Sequence, residues 1–186
     1  MADISDRTVA ILATNGFEQS ELESPLKALK DAGATVHVIA PEGGEIKGWD
    51  GGNWGNSVKV DKTLSDVNAA DYDALVLPGG QINPDILRTS KEAVAFVRAF
   101  WDAKKPIGAI CHAPWMLIEA DIIKGRNVTS YHSIRKDVEN AGGIWQDSEV
   151  VCDTALVTSR NPDDLPAFNA KMIEEIAEGK HRSRAA

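Results

Sequence analysis

Short apolar segments alternate along this chain with segments of helical periodicity, and this alternation limits the fold more than any other feature. The apolar segments comprise residues 8–13, 35–40, 74–77 and 107–110, and their length and composition are typical of buried parallel strands. Strands that alternate with helices pair into a parallel sheet with helices on both faces. The sequence therefore predicts an α/β fold, a three-layer sandwich around a mainly parallel sheet.

Helical segments are predicted between and after these strands. Ser20 and Glu23 have the spacing of a capping box, and Gly33 is placed to end the helix that follows. Glycines crowd residues 43–55, which predicts a hairpin excursion that returns through residues 57–60. The other expected elements are helices over residues 90–103, 134–140 and 162–178, and short strands near residues 128–129, 150–151 and 155–158.

Composition places the chain among ordinary globular proteins. Its 186 residues are 43% hydrophobic and 26% charged, so we expect a single domain over residues 1–186, with a frayed tail from residue 180. A net charge of −8 argues against nucleic acid as the main partner.

No secretory pattern and no membrane-length apolar run is visible, and two cysteines make no disulfide framework. We therefore expect a reducing, cytoplasmic location and no membrane association.

Cys111 stands at a predicted sharp turn between a strand and a helix. It directly follows the apolar residues 107–110, with Gly108 leaving room for close packing, and Pro114 is suited to the first turn of a helix. Such an elbow exposes a nucleophile at the edge of the sheet. The positive end of the helix dipole would lower the pKa of the thiol. The alternative is a small buried cysteine that ends a core strand.

Three loops at the carboxyl ends of strands supply candidate partners for this thiol. In parallel sheets these ends lie at one edge, where reactive groups collect. Glu18 is expected beside the thiol, although a loop carboxylate is more often simply solvated. His112 is a candidate acid/base or a cap on the following helix, and Asp85 would fix its tautomer or merely occupy the first turn of a short helix.

Backbone groups complete the candidate site. The N–H groups of Gly80 and His112 are predicted to form an oxyanion hole, although glycines after a strand are more often only a turn. Cys152 lacks an elbow and is interpreted as structural. The cysteines and histidines have no Cys-x-x-Cys or His-Glu-x-x-His spacing, so neither a metal nor another cofactor is expected.

Ordered blocks recur along nearly the whole chain: residues 16–18 with 21–22, 75–80, 110–114, 125–126 with 129–131, 137 with 140–142, and 158–160 with 162 and 164–165. Taken together, these blocks resemble the PfpI family of the class I glutamine amidotransferase-like superfamily. The resemblance implies a flavodoxin-like sandwich in which Cys111 is the nucleophile, with Glu18 and His112 in support. It also implies a homo-oligomer, dimer to hexamer, in which Asp85 reaches the histidine of a neighbouring subunit.

Several activities follow from this resemblance: proteolysis, glyoxalase-type conversion of methylglyoxal to lactate, deglycation, chaperoning and protection against oxidative stress. We expect Cys111 thiolate chemistry on reactive carbonyls, because addition to an aldehyde needs only a small pocket. An intracellular cysteine peptidase and a redox-sensing chaperone are the alternatives. Glutamine amidotransfer is set aside, since no His-x-Glu pair follows Cys111.

Overall fold

The computed structural model describes residues 2–179. Within them the strands, in chain order, are β1 (Thr8–Leu12), β2 (Phe17–Glu18), β3 (Thr35–Ala40), β4 (Glu45–Asp50), β5 (Asn53–Lys59), β6 (Lys62–Thr63), β7 (Ala74–Leu77), β8 (Ile107–Ile110), β9 (Asn127–Val128), β10 (Ile144–Trp145), β11 (Val151–Asp153) and β12 (Leu156–Ser159). The α-helices are α1 (Gln19–Asp31), α2 (Ile82–Leu87), α3 (Lys91–Asp102), α4 (Pro114–Glu119), α5 (Arg135–Asn140) and α6 (Leu165–Glu178).

A seven-stranded sheet forms the middle layer, in the order β11-β12-β8-β7-β1-β3-β6. Every neighbouring pair is parallel except β11 with β12. The strands β8, β7 and β1 are adjacent near its centre, so their carboxyl ends lie side by side at one edge. This arrangement confirms the predicted mainly parallel α/β sandwich.

The side chains of β1 show how the sheet separates two cores. Val9 and Ile11 belong to one apolar cluster, which α1 and α6 complete with Leu22 and Phe168. Ala10 and Leu12 belong to the other cluster, on the opposite face. Successive strand residues point to opposite faces, so a strand buried on both sides must be apolar throughout. That requirement explains the uninterrupted apolar segments in the sequence.

A second, smaller sheet is formed by three strands within residues 17–59. Its order is β2-β4-β5, with β4 and β5 paired as an antiparallel hairpin and β2 parallel to β4. The hairpin predicted from the glycine-rich segment is therefore confirmed. Trp49 and Trp54 face each other across it, with ring centroids 5.4 Å apart.

Most predicted helices and strands are present, with two corrections. The capping box at residues 20–23 is wrong, because α1 begins at Gln19 and its N-cap, Glu18, makes no side-chain cap hydrogen bond. The segment that forms α2 was predicted as a loop, with a short helix as the alternative, and the short helix is present. The predicted frayed tail from residue 180 lies outside the described residues. No helix within residues 2–179 has both the length and the apolarity needed to cross a membrane.

Gly108 allows α6 to approach β8 closely. A β-carbon at this position would lie 2.6 Å from the sulfur of Met172 and 2.8 Å from Cζ of Phe168. Both of those side chains are almost wholly buried, so they have little room to move aside. The expected packing role of Gly108 is thereby confirmed.

Gly108→Ala should lower the free energy of unfolding by about 1–3 kcal/mol, because it overpacks this contact. Gly43→Ala is the matched control, since its β-carbon would meet only Cγ2 of Thr63 at an ordinary 3.6 Å. Urea denaturation of both variants and the parent measures the difference. Equal losses for the two variants would contradict this description of the β8–α6 contact.

Candidate active site

Cys111 occupies a strained turn at the end of β8. Its φ angle is 63°, in the left-handed region that residues other than glycine seldom adopt. Two backbone hydrogen bonds hold it there: its N–H donates to the carbonyl of Ser159 (3.0 Å), and its carbonyl accepts from the N–H of Tyr131 (2.8 Å). Helix α4 begins three residues later at Pro114. The strand-turn-helix elbow predicted from the sequence is confirmed.

Two glycines after β7 let the neighbouring loop close against this turn. A β-carbon on Gly79 would lie 2.6 Å from Cβ of Cys111 and 2.5 Å from a carboxyl oxygen of Glu21. Gly80 has a φ of 74°, and a β-carbon there would meet the backbone of Gly16 and Glu18 at 2.5 Å. The loops after β1, β7 and β8 therefore meet, as their positions at one sheet edge predicted.

Asn83, on α2, fixes this meeting point. Its side-chain amide donates to the carbonyls of Pro78 (2.9 Å) and Gly79 (3.1 Å), and its oxygen accepts from the N–H of Thr14 (2.7 Å). The side chain is almost wholly buried. It joins the loop after β1 to the loop after β7, and so holds the two glycines against the elbow.

The carboxyl beside the thiol belongs to Glu21, which corrects the prediction for Glu18. The Glu21 side chain is wholly buried, accepts a 2.9 Å hydrogen bond from the N–H of Gly79 and interacts directly with Cys111. Glu18 is only partly buried, three positions earlier at the N-cap of α1, and acts on Glu21 through its charge. The sequence carried a usable signal, since Glu21 interrupts the apolar face of a helix.

Burial raises the pKa of both Glu21 and Cys111. Burial, together with the charge of Glu18, raises the pKa of Glu21 to about 8. Burial and the charge of Glu21 raise the pKa of the Cys111 thiol, against the opposing effect of the N–H groups of Gly80 and His112. The pair holds its first negative charge far more easily than a second. The lowered thiol pKa expected from the helix dipole is therefore wrong in direction, since burial outweighs a helix of only six residues.

His112 lies directly against the thiol. Its Nδ1 is 3.1 Å from Sγ of Cys111, and its Nε2 is 3.2 Å from Oγ of Ser133. Tyr131 stacks on the ring at 4.8 Å, and Trp115 packs edge-on at 5.3 Å. Burial and the charge of a neighbouring histidine lower the pKa of His112, which favours the neutral imidazole. A neutral ring beside a protonated thiol can accept its proton.

Asp85 does not reach this imidazole within one chain. It is exposed in the first turn of α2. Within residues 2–179, the hydrogen bonds of the His112 ring go to Cys111 and Ser133. The interpretation in which Asp85 orients its own chain's histidine is therefore wrong, and the alternative, a carboxylate in the first turn of a short helix, describes its position.

The two N–H groups predicted to form the oxyanion hole lie beside the Cys111 side chain. The N–H groups of Gly80 and His112 both interact with the Cys111 side chain. An oxygen on a carbon bonded to this sulfur would lie near the same two donors. Their role in binding such an oxygen remains a prediction.

A polar cavity of about 290 Å³ adjoins the site. Tyr131 lines the cavity and also stacks on His112, so the two regions share one wall. Inside it, the guanidinium of Arg160 is held by the carboxylates of Asp164 and Asp147, at 2.9 Å and 2.7 Å. The lining residues are Ser130, Tyr131, His132, Trp145, Asp147, Arg160 and Asn161.

Cys152 and the histidines form no second site of this kind. Cys152 is a free, exposed cysteine on β11. In the part of the chain that the structure describes, no group of three or more histidine, cysteine, aspartate or glutamate side chains is arranged to hold a metal ion.

The raised pKa of Glu21 predicts a distinctive pH dependence of stability. Between pH 4.5, its ordinary pKa, and about 8, the folded state holds a proton that the unfolded chain has lost. Stability should therefore fall as pH rises through this window, by roughly 2 kcal/mol between pH 6.5 and 8. Glu21→Gln, which keeps an oxygen for the N–H of Gly79, should flatten this fall.

Thermal unfolding at closely spaced pH values measures the effect, with Glu42→Gln as a control at an exposed carboxylate. The control should keep the parent's slope. A parent whose stability does not change over this interval, or a Glu21→Gln variant as pH-sensitive as the parent, would refute a protonated Glu21 in the fold.

Known proteins share both the sequence and the fold of this chain. A sequence model of the DJ-1/PfpI family matches residues 7–175. The putative cysteine protease YraA of Bacillus subtilis is 47% identical over 168 residues, 90% of this chain and 96% of YraA. The protein/nucleic acid deglycase 2 of Escherichia coli is 46% identical over 169 residues, again 90% of this chain and 96% of the relative.

A solved structure shows the same architecture at high similarity. It is a two-domain protein from Anabaena variabilis with DJ-1/ThiJ/PfpI-like and ferritin-like domains, 34% identical, with a TM-score of 0.87. The match covers 97% of this chain, which spans about half (52%) of that larger protein. The resemblance found in the sequence is confirmed, and the chain belongs to the DJ-1/PfpI family.

Proposed function

We propose that this protein is a stress-related enzyme that acts on reactive carbonyls, such as methylglyoxal or early glycation adducts, through Cys111. The observation that supports this most strongly is the position of one sulfur, at a strained elbow between the Glu21 carboxyl and Nδ1 of His112. Relatives named deglycase and putative cysteine protease agree with a cysteine-dependent enzyme.

The first step is addition of the thiol to an aldehyde carbon. A bond forms between Sγ of Cys111 and that carbon, and the C=O π electrons move onto the oxygen. The thiol proton passes to Nδ1 of His112, 3.1 Å away, and then to the new alkoxide. The product is a hemithioacetal, and the N–H groups of Gly80 and His112 would stabilise the developing negative charge. Because the thiol pKa is raised, ionisation accompanies attack instead of preceding it.

For methylglyoxal, a second proton transfer completes the reaction without an external oxidant. The hydrogen on the former aldehyde carbon leaves as a proton, and the neighbouring carbonyl oxygen gains a proton, which gives an enediol. A proton is then added to the neighbouring carbon while the hydroxyl on the first carbon loses its proton and becomes the thioester carbonyl, so one carbon is oxidised as the other is reduced. The resulting lactyl thioester is hydrolysed by water to lactate and free Cys111. Glu21 and His112 are the groups beside the sulfur that can carry these protons.

The exposure of the site favours small substrates. Cys111 is 6% exposed and His112 is 8% exposed, so a small aldehyde reaches the sulfur more readily than an extended peptide. Peptide cleavage also requires protonation of a poor leaving group. A peptidase is nevertheless the second candidate, because YraA, 47% identical, is named a putative cysteine protease.

A panel of small aldehydes and peptides should separate these activities. We expect lactate formation from methylglyoxal, reduced about a thousand-fold or more in Cys111→Ala because the nucleophile is lost. Cys152→Ala is the matched control, since this exposed cysteine lies outside the site and its loss should leave turnover unchanged.

Other outcomes of the panel assign other functions. Cys111-dependent cleavage of peptides, without aldehyde turnover, would favour the peptidase. Suppression of aggregation that survives Cys111→Ala, with no turnover by the parent, would favour a chaperone and overturn the proposal.

A homo-oligomer, dimer to hexamer, is part of this proposal. Asp85 lies on α2 between two exposed apolar side chains, Ile82 (38% exposed) and Ile86 (47% exposed). Association of copies would bury such a surface and could bring Asp85 to a neighbouring subunit's site.

Analytical ultracentrifugation should therefore show a dimer or a larger species. Ile86→Lys should dissociate it, because the substitution places a charge within the buried surface. Ile144→Lys, at a similarly exposed isoleucine on β10, should not. A parent that sediments as a monomer would contradict the assembly.

A further inference from the structure

We infer that Ser133 is a positioning residue that accepts the Nε2–H of His112 and so directs the lone pair of Nδ1 at the Cys111 thiol. The role in turnover rests on the proposed function, whereas the hydrogen bond and its effect on the imidazole do not. Ser133 stood outside every motif recognised in the sequence.

The two ring nitrogens of His112 have different partners. Sγ of Cys111 lies 3.1 Å from Nδ1, and Oγ of Ser133 lies 3.2 Å from Nε2. A neutral imidazole carries one proton, so one nitrogen donates and the other accepts. The identity of the partner at one nitrogen therefore decides what the other can do.

We assign the contact between the thiol and the ring as Sγ–H of Cys111 donating to Nδ1, which then carries the lone pair. The ring proton consequently resides on Nε2 and points at Ser133, whose hydroxyl has lone pairs to accept it. When His112 takes the thiol proton, Nε2–H becomes part of a cation, and its hydrogen bond to Ser133 becomes stronger. Ser133 thus stabilises the charged form of the base.

Ser133 is held at this distance by the backbone around the elbow. It belongs to a short 3-10 helix, His132–Ile134, which is anchored by the buried side chain of Ile134. Just before this turn, the N–H of Tyr131 donates to the carbonyl of Cys111 itself (2.8 Å). Residues 131–133 therefore connect the backbone of Cys111 to Ser133, the hydrogen-bond partner of His112.

The remaining neighbours restrict rotation of the ring. Tyr131 stacks on one face of His112, with an interplanar angle of 25°, and Trp115 contacts it edge-on. The Trp115 indole N–H is in turn held by the carboxylate of Asp137 at 2.9 Å. The titratable groups that face the imidazole are Cys111, Tyr131 and His132, and the charge of His132 opposes its protonation.

Within one chain, both ring nitrogens of His112 have a partner, Cys111 at Nδ1 and Ser133 at Nε2. A carboxylate from a neighbouring subunit could bind Nε2 only by displacing Ser133. Ser133 and Asp85 are therefore competing assignments for the same hydrogen bond, and they can be separated by experiment.

Titration of ¹⁵N-labelled histidine by NMR tests the assignment without any substrate. In Ser133→Ala the pKa of His112 should fall by about half a unit, because the cation loses its acceptor. Ser133→Thr, which keeps the hydroxyl, should restore it. Ser57→Ala, at an exposed serine remote from the site, should leave it unchanged.

The alkylation rate of Cys111 provides a second, independent readout. With Cys152 replaced by Ser so that one thiol remains, modification by iodoacetamide at pH 7 should slow about five-fold in Ser133→Ala and recover in Ser133→Thr. Circular dichroism and the Tm confirm that each variant is folded, as expected for an exposed hydroxyl.

Three results would overturn the inference: a parent His112 with its proton on Nδ1; an unchanged pKa and alkylation rate in folded Ser133→Ala; or a shift caused by Asp85→Asn and not by Ser133→Ala. Absence of aldehyde turnover in the parent would refute the proposed function and leave these measurements unaffected.

Discussion

The left-handed backbone of Cys111 is the constraint on which the rest of the site depends. A cysteine gains nothing locally from a φ of 63°, and such a conformation persists only where surrounding bonds enforce it. Here the ends of two other segments supply those bonds, from Ser159 on β12 and from Tyr131. This turn directs the Cys111 side chain away from the path of β8 and towards the loop after β7. Gly79 and Asn83 matter because they allow that loop to approach and then hold it there.

Placing a thiol and a carboxyl together in a buried site limits the charge that the site can hold. Burial and the charge of Glu18 raise the pKa of Glu21, and burial and the charge of Glu21 raise the pKa of the Cys111 thiol. Burial likewise lowers the pKa of His112, so each of the three groups disfavours its charged form.

The amino-acid sequence was enough to predict the central strands of the sheet and the position of Cys111. Buried strands must be apolar on both faces, so β1, β3, β7 and β8 were visible as uninterrupted segments, and the elbow followed from where β8 ends. Short elements such as β2, β6 and α2 carry too few residues for a periodic signal. The sequence pointed to Glu18 as the supporting carboxylate, one helical turn before Glu21, because Glu18 was expected in the loop at the carboxyl end of the first strand and Glu21 inside the following helix. Ser133 could not be found at all, since a hydroxyl that meets a histidine 21 positions away leaves no local pattern.

We propose that the Cys111 sulfur forms a covalent bond with a carbonyl carbon of the substrate. Carbon-13 NMR of the Cys152→Ser protein, mixed with an equimolar aldehyde labelled at its carbonyl carbon, observes that bond directly. We expect a protein-bound sp³ carbon with the shift of a hemithioacetal, present with Cys111 and absent when Cys111 is also replaced by Ala. The same signal in the protein without Cys111, or no protein-bound sp³ carbon in its presence, would contradict it.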